Sequence, residues 1–214
     1  MIAIALLVFY AGSRAYGPHK TWVFLAGAIL WTAPLENFAA AQHGYTYYGY
    51  AGAFLQGYPG YLFWVGLVPF WILLGWFVIA LSCYVISHEV LLRGRRALVQ
   101  AAFSGLLALN IDLLMDPIAS ANRLWIWTAG SFPFLGVPLF NFAGWFMLIF
   151  FFDLISNHTI FRNAPMRVVS GAERYLPKPR SDGPIDLRRL ATRILLLEGF
   201  VIVALWVLAN YVLV

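Results

Sequence analysis

Of 214 residues, 62% are apolar and 11% charged, against roughly 45–50% and about 25% in soluble domains. So few charges cannot cover a water-facing surface, which excludes a soluble domain and makes lipid part of the solvent for a single domain, 1–214. One cysteine, Cys83, rules out a disulfide framework and a cysteine-rich metal centre; four scattered histidines (His19, His43, His88, His158) argue against a multi-histidine di-iron site; and the formal charge of +5 points to loop orientation rather than nucleic acid.

A helix rises about 1.5 Å per residue and the hydrocarbon core is about 30 Å thick, so a span needs roughly 20 apolar residues. In chain order, residues 1–11 (MIAIALLVFYA) form a short first helix without the basic start of a signal peptide. Windows at about 20–41, 61–91, 97–116, 137–158 and 190–213 each reach spanning length. The expected fold class is all-α, a polytopic membrane bundle of about six transmembrane helices, five long and one shorter at the N-terminus. No repeat of fixed period and no pair of half-molecule repeats is visible, so the mark of many transporters is missing.

The segments 12–20, 92–96 and 159–193 hold every Lys and Arg except Arg123. Cytoplasmic loops collect these residues, so the three segments face the cytoplasm and both termini face outward. The stretch 159–189, basic and punctuated by Pro and Gly, reads as a cytoplasmic loop against anionic headgroups. The outward loops 42–60 and 117–136 are rich in Tyr, Trp, Phe and Gly. They read first as an interfacial aromatic belt, and second as a lid over a long apolar ligand.

A carboxylate in mid-span costs roughly 2.5–3.5 kcal/mol on insertion scales, so each one needs a reason. Glu36 lies in the outer third of the second helix. Asp112 and Asp116, four residues apart, share a face of the fourth, and Asn141 enters the fifth at similar depth. That convergence is the main functional signal. Blander readings stand beside it. Asp116, just before Pro117, marks a helix end. Glu36 and Asn37 brace a kink at Pro34. His88, Glu89 and Asp153 sit at inner helix ends near water, and Glu198 pairs with a neighbour or lines a path. Retinal lysine, P-loop, HExxH and voltage-sensor ladder are all missing from the spans. Buried acids among aromatic rings suit proton-initiated chemistry on a lipid, in which a carboxyl holds the proton and π faces stabilise a passing cation.

The blocks GVPLFNFAGWF (136–146) and MDPIASANRLWIW (115–127), with Glu36, resemble the CruF-type carotenoid hydratases, integral membrane carotenoid biosynthesis proteins that include the bisanhydrobacterioruberin hydratases. Pro34-Leu35-Glu36-Asn37 is also similar to the Pro-x-Glu-Glu motif of membrane lycopene cyclases, with Asn37 replacing the second acid. The resemblance implies addition of water to the terminal double bond of a linear carotenoid, giving a tertiary alcohol, with no metal or cofactor. In that reading Glu36 or Asp112 delivers the proton and the other handles the water, which Asp116 and Asn141 hold. Trp125, Trp127 and Trp145 shield the cation, with Asn37, Phe142 and Tyr48 as further substrate contacts. The implied setting is a prokaryotic plasma membrane, with lipid and other carotenoid biosynthesis enzymes as neighbours. The alternatives are a carotenoid cyclase, a carotenoid- or quinone-binding protein without catalysis, and a small transporter using Asp112 and Glu198.

Overall fold

The structure is a computed structural model that describes residues 1–42, 44–47, 63–127 and 133–161, with Thr192 and Ile194. The expected last span at 190–213, most of the basic segment 159–189, and Tyr48 lie outside the described residues. Within them the fold is an all-α bundle in which four helices are long and apolar enough to cross a membrane: Pro18–Ala41, Phe70–Leu91, Ala97–Ala121 and Leu139–Thr159.

Helix α1 (Ile2–Tyr16) ends at Gly17, whose φ of 91° stops the helix, and Pro18 opens α2 (Pro18–Ala41) at the position where its missing N–H costs nothing. Pro34 sits inside α2, and Pro117 inside α4 (Ala97–Ala121). Asp116 therefore does not mark a helix end, because α4 continues to Ala121. Where neighbouring helices and polar side chains satisfy the freed carbonyl, a proline need not terminate a spanning helix. The expected span at 61–91 also begins later. A tight hairpin of β2 (Trp64–Val65) and β3 (Val68–Pro69) precedes α3, which runs from Phe70 to Val85 and continues as a π-helical turn to Leu91. Gly66, at φ 64°, makes the two-residue turn. A second hairpin, β5 (Pro133–Phe134) and β6 (Val137–Pro138), leads in the same way into α5 (Leu139–Thr159). Between the helices and these hairpins, β1 (Tyr45–Tyr47) follows α2 and β4 (Trp125–Trp127) follows α4.

The order α2-β1-β2-β3-α3 thus recurs as α4-β4-β5-β6-α5, a half-molecule repeat that the sequence reading did not see. Strands β1 and β4 pair antiparallel, Tyr45 with Trp127, Thr46 with Ile126 and Tyr47 with Trp125, a register that is unchanged when the halves are exchanged. The matching residues Trp76 and Trp145 face each other with ring centroids 4.3 Å apart. A pseudo-twofold axis therefore passes between Thr46 and Ile126 and between the two indoles. Its spacing is not fixed because the connections at 48–63 and 128–132 differ in length, and so a search for a constant period misses it.

The core follows the axis. Phe24, Trp31, Phe77, Ile149 and Phe152 are almost fully buried, while Leu7, Trp22, Leu30, Leu106 and Leu114 point outward. An apolar outer surface of this kind suits lipid contact. At Gly105, α4 comes so close to α5 that a Cβ would lie 2.9 Å from the Phe146 carbonyl.

Candidate active site

The C-terminal ends of α2 and α4 meet the N-terminal ends of α3 and α5 around one cavity of about 560 Å³. Glu36, from the last turns of α2, lies on its wall and is 9% exposed. Three neutral donors converge on its carboxyl: the Trp76 indole at 2.6 Å on Oε1, the Tyr47 hydroxyl at 2.9 Å on Oε2, and the Tyr45 hydroxyl on the same Oε2. The two tyrosines reach it together because alternate residues of a strand share a face, leaving Thr46 exposed on the other. Burial first, and then the neighbouring Glu36 carboxyl, push both phenols well above their usual range, so they stay protonated donors.

Across the cavity stands a second acid group. Asp112 and Asp116, one helical turn apart, are 0% and 2% exposed. The Asn141 amide lies between them: Nδ2 is 3.0 Å and 3.2 Å from the two Asp112 oxygens and 2.6 Å from Asp116 Oδ2. Asp116 Oδ1 is buried without a donor among the described residues. A buried carboxyl oxygen in that position calls for a proton held on the acid pair or a water from the cavity. Asp116 and Asn141 line the cavity; Asp112 stands behind them. In the repeat, Asp116 is the counterpart of Glu36, each preceding its strand by the same interval.

The four residues expected to carry the chemistry, Glu36, Asp112, Asp116 and Asn141, are therefore brought to one end of the bundle. Trp125, Trp127 and Trp145 lie on the cavity wall. Two others stand elsewhere. Asn37 clamps the first hairpin, its amide donating to the Ala33 and Val65 carbonyls at 2.7 and 3.0 Å and its oxygen accepting from the Leu67 N–H at 2.7 Å. Phe142 packs edge-on against Phe134, with ring centroids 6.0 Å apart. The described parts of the aromatic loops contribute to the cavity wall: Tyr45 packs edge-on against Trp127 at 5.1 Å, and Tyr47 against Trp125 at 6.0 Å. Tyr45, Tyr47, Trp71 and Trp76 were missed as site residues. For Trp76 the signal was present, since Val68-Pro69 followed by Gly75-Trp76-Phe77 recurs as Val137-Pro138 followed by Gly144-Trp145-Phe146.

His88 and Asp153 are not at a watery helix end. They are 6% and 3% exposed, with His88 Nε2 2.7 Å from Asp153 Oδ1. Ser104 Oγ donates to Asp153 Oδ2 at 2.5 Å, and Tyr84 stacks on the imidazole at 4.1 Å. This group ties α3, α4 and α5 together at the end of the bundle away from the cavity.

Residues 1–209 match the family described as carotenoid biosynthesis protein. The chain belongs to that family. No curated protein and no solved structure matches it.

Proposed function

We propose that this carotenoid biosynthesis protein is a hydratase that adds water across the terminal double bond of a linear carotenoid. The observation that carries the reading is the Asp112–Asn141–Asp116 group beside the cavity that Glu36 also lines, with an Asp116 Oδ1 that has no donor among the described residues. Two carboxyl groups on one amide cannot both be charged without strong repulsion, so they share a proton. Asp116 passes that proton to the less substituted carbon of the terminal alkene. The π electrons form the new C–H bond, and the positive charge is left on the tertiary carbon. Glu36, with three donors holding its carboxylate, balances that cation electrostatically, and the indole faces of Trp76, Trp125 and Trp145 shield it. Water attacks the cation and loses a proton to the Asp112–Asp116 pair, which restores the acid and leaves a tertiary alcohol.

No cofactor takes part in this reading, and the partners are the carotenoid, water, membrane lipid and neighbouring carotenoid biosynthesis enzymes. The distribution of Lys and Arg supports cytoplasmic basic segments and an outward catalytic end, and the family resemblance supports a prokaryotic plasma membrane as the setting. Expression in a lycopene-accumulating bacterial host, followed by chromatography with mass detection, tests the proposal. A product heavier by one water, lost in Asp116→Asn, is expected. A product of unchanged mass with a new ring would make the protein a cyclase instead.

A further inference from the structure

The pseudo-twofold axis relates two seams of the bundle, α2 against α5 and α3 against α4, and the two are built differently. Its correspondence carries Trp31 onto Ile111, Leu148 onto Ile79, and Phe24 and Phe152 onto Ser104 and Cys83. The α2–α5 seam is sealed. Trp31 is fully buried and donates from Nε1 to the Leu148 carbonyl at 2.9 Å, while Phe152 stacks on Trp31 at 6.5 Å and meets Phe24 edge-on at 5.0 Å.

Among the described residues, the α3–α4 seam is closed by polar contacts at one extremity and by an indole pair at the other. At the far end, Ser104 Oγ lies 3.3 Å from the Cys83 carbonyl and 2.8 Å from Ser87 Oγ. At the catalytic end, Trp71 of α3 stacks on Trp125 at 6.5 Å. Between these points, among the described residues, the cavity reaches the outside of the bundle past Met1, past Gly75 and Ile79 of α3, and past Ile111, Leu114 and Ile118. The last three are 37%, 67% and 61% exposed. At Gly75 a Cβ would meet only the Met1 Cε, at 3.6 Å.

We propose that this opening is a lateral window through which the end of a linear carotenoid enters from the bilayer, with the rest of the polyene left between α3 and α4 in lipid. The inference rests on the hydratase reading and adds the route of the substrate. A cavity of about 560 Å³ falls within the roughly 300–1,000 Å³ of ordinary ligand pockets, room for one end of a long polyene rather than the whole. Glu36 and Asp116 line its wall, and the exposed Ile111, Leu114 and Ile118 at its lip are apolar, which matches an apolar substrate whose reacting bond is terminal. A polyene has no polar group that would favour an aqueous entrance.

The test uses the full chain in phosphatidylcholine nanodiscs loaded with lycopene. Benzoylphenylalanine replacing Leu114 should cross-link the pigment on irradiation, and the same residue replacing Leu106, exposed on α4 away from the cavity, should not. Ile111→Trp places at the open seam the ring that seals the other. It should raise the apparent KM for lycopene at least fivefold with a smaller effect on kcat, whereas Leu106→Trp changes neither; Ile111→Phe, a smaller change, should act in the same direction. Equal cross-linking at positions 106 and 114, or an unaltered KM in both Ile111 variants, overturns the window. Cross-linking does not require turnover: pigment captured at 114 without hydrated product overturns the hydratase reading alone, and hydrated product without capture at 114 overturns the window alone.

Discussion

The two halves of the bundle share a backbone plan and have taken different work. In the first, Glu36 is surrounded by donors, Tyr45, Tyr47 and Trp76, which in the proposed mechanism fit it to balance the cation. In the second, the equivalent Asp116 has a second acid, Asp112, one turn away and a single amide between them. In the proposed mechanism one arrangement stabilises charge and the other stores a proton. The seams diverge in the same manner, one filled by indole and phenyl rings and the other left open by Ile111, Ile79 and Gly75. A repeated half gives two equivalent positions at the axis, and the proposed hydration, which needs both an acid and a counter-charge, uses the difference between them.

The largest expected effect tests whether the two acids are interchangeable. Asp116→Asn should lower hydration by about 10²–10⁴-fold, the usual contribution of a general acid. Glu36→Gln should lower it by about 10²–10³-fold, as for loss of one electrostatic contact to a developing charge. Rates per mole of folded protein in membranes compare the two, and equal losses at every pH would remove the division of labour.

The seams come next. Trp31→Ala should destabilise the protein by about 3–5 kcal/mol, since it leaves a cavity and removes the indole bond to the Leu148 carbonyl. Ile111→Ala, at the open seam, should cost under about 1 kcal/mol. Denaturant unfolding of both variants in the same detergent reads the difference, and similar costs would mean that the seams are packed alike.

Smaller effects sharpen the picture at Glu36. Removing one hydrogen bond to a charged group is worth about 1.5–3 kcal/mol, so Tyr47→Phe should lower kcat by roughly 10–100-fold while the unfolding midpoint moves little. Asn37→Ala should do the opposite. It frees the first hairpin at a cost of about 1–2 kcal/mol in stability, with kcat for carotenoid hydration kept within a few-fold. A collapse of kcat with intact folding in this variant would return Asn37 to the substrate.

Reading the chain as a sequence located the apolar helices, and it singled out Glu36, Asp112, Asp116 and Asn141, because an ionisable group in a span is conspicuous whatever surrounds it. It misjudged Pro117, since proline signals a helix end in water and is tolerated where neighbouring helices satisfy the backbone. It read Asp153 and His88 as ends near water because depth along a helix does not reveal what packs over it. It passed over Tyr45 and Tyr47 because tyrosines in a loop are ordinary at a membrane interface. Only strand pairing with Trp125 and Trp127 turns their hydroxyls onto Glu36.

Composition and residue order therefore determined the apolar setting, the helical class and the residue types available for acid chemistry, because these depend on how many charges a chain carries and where they fall along it. Which acid pairs with which, which indole faces its twin, and which seam stays open were decided by the tertiary structure. Each of those is a distance between residues far apart in the chain, and distances across a pseudo-twofold axis are set by packing.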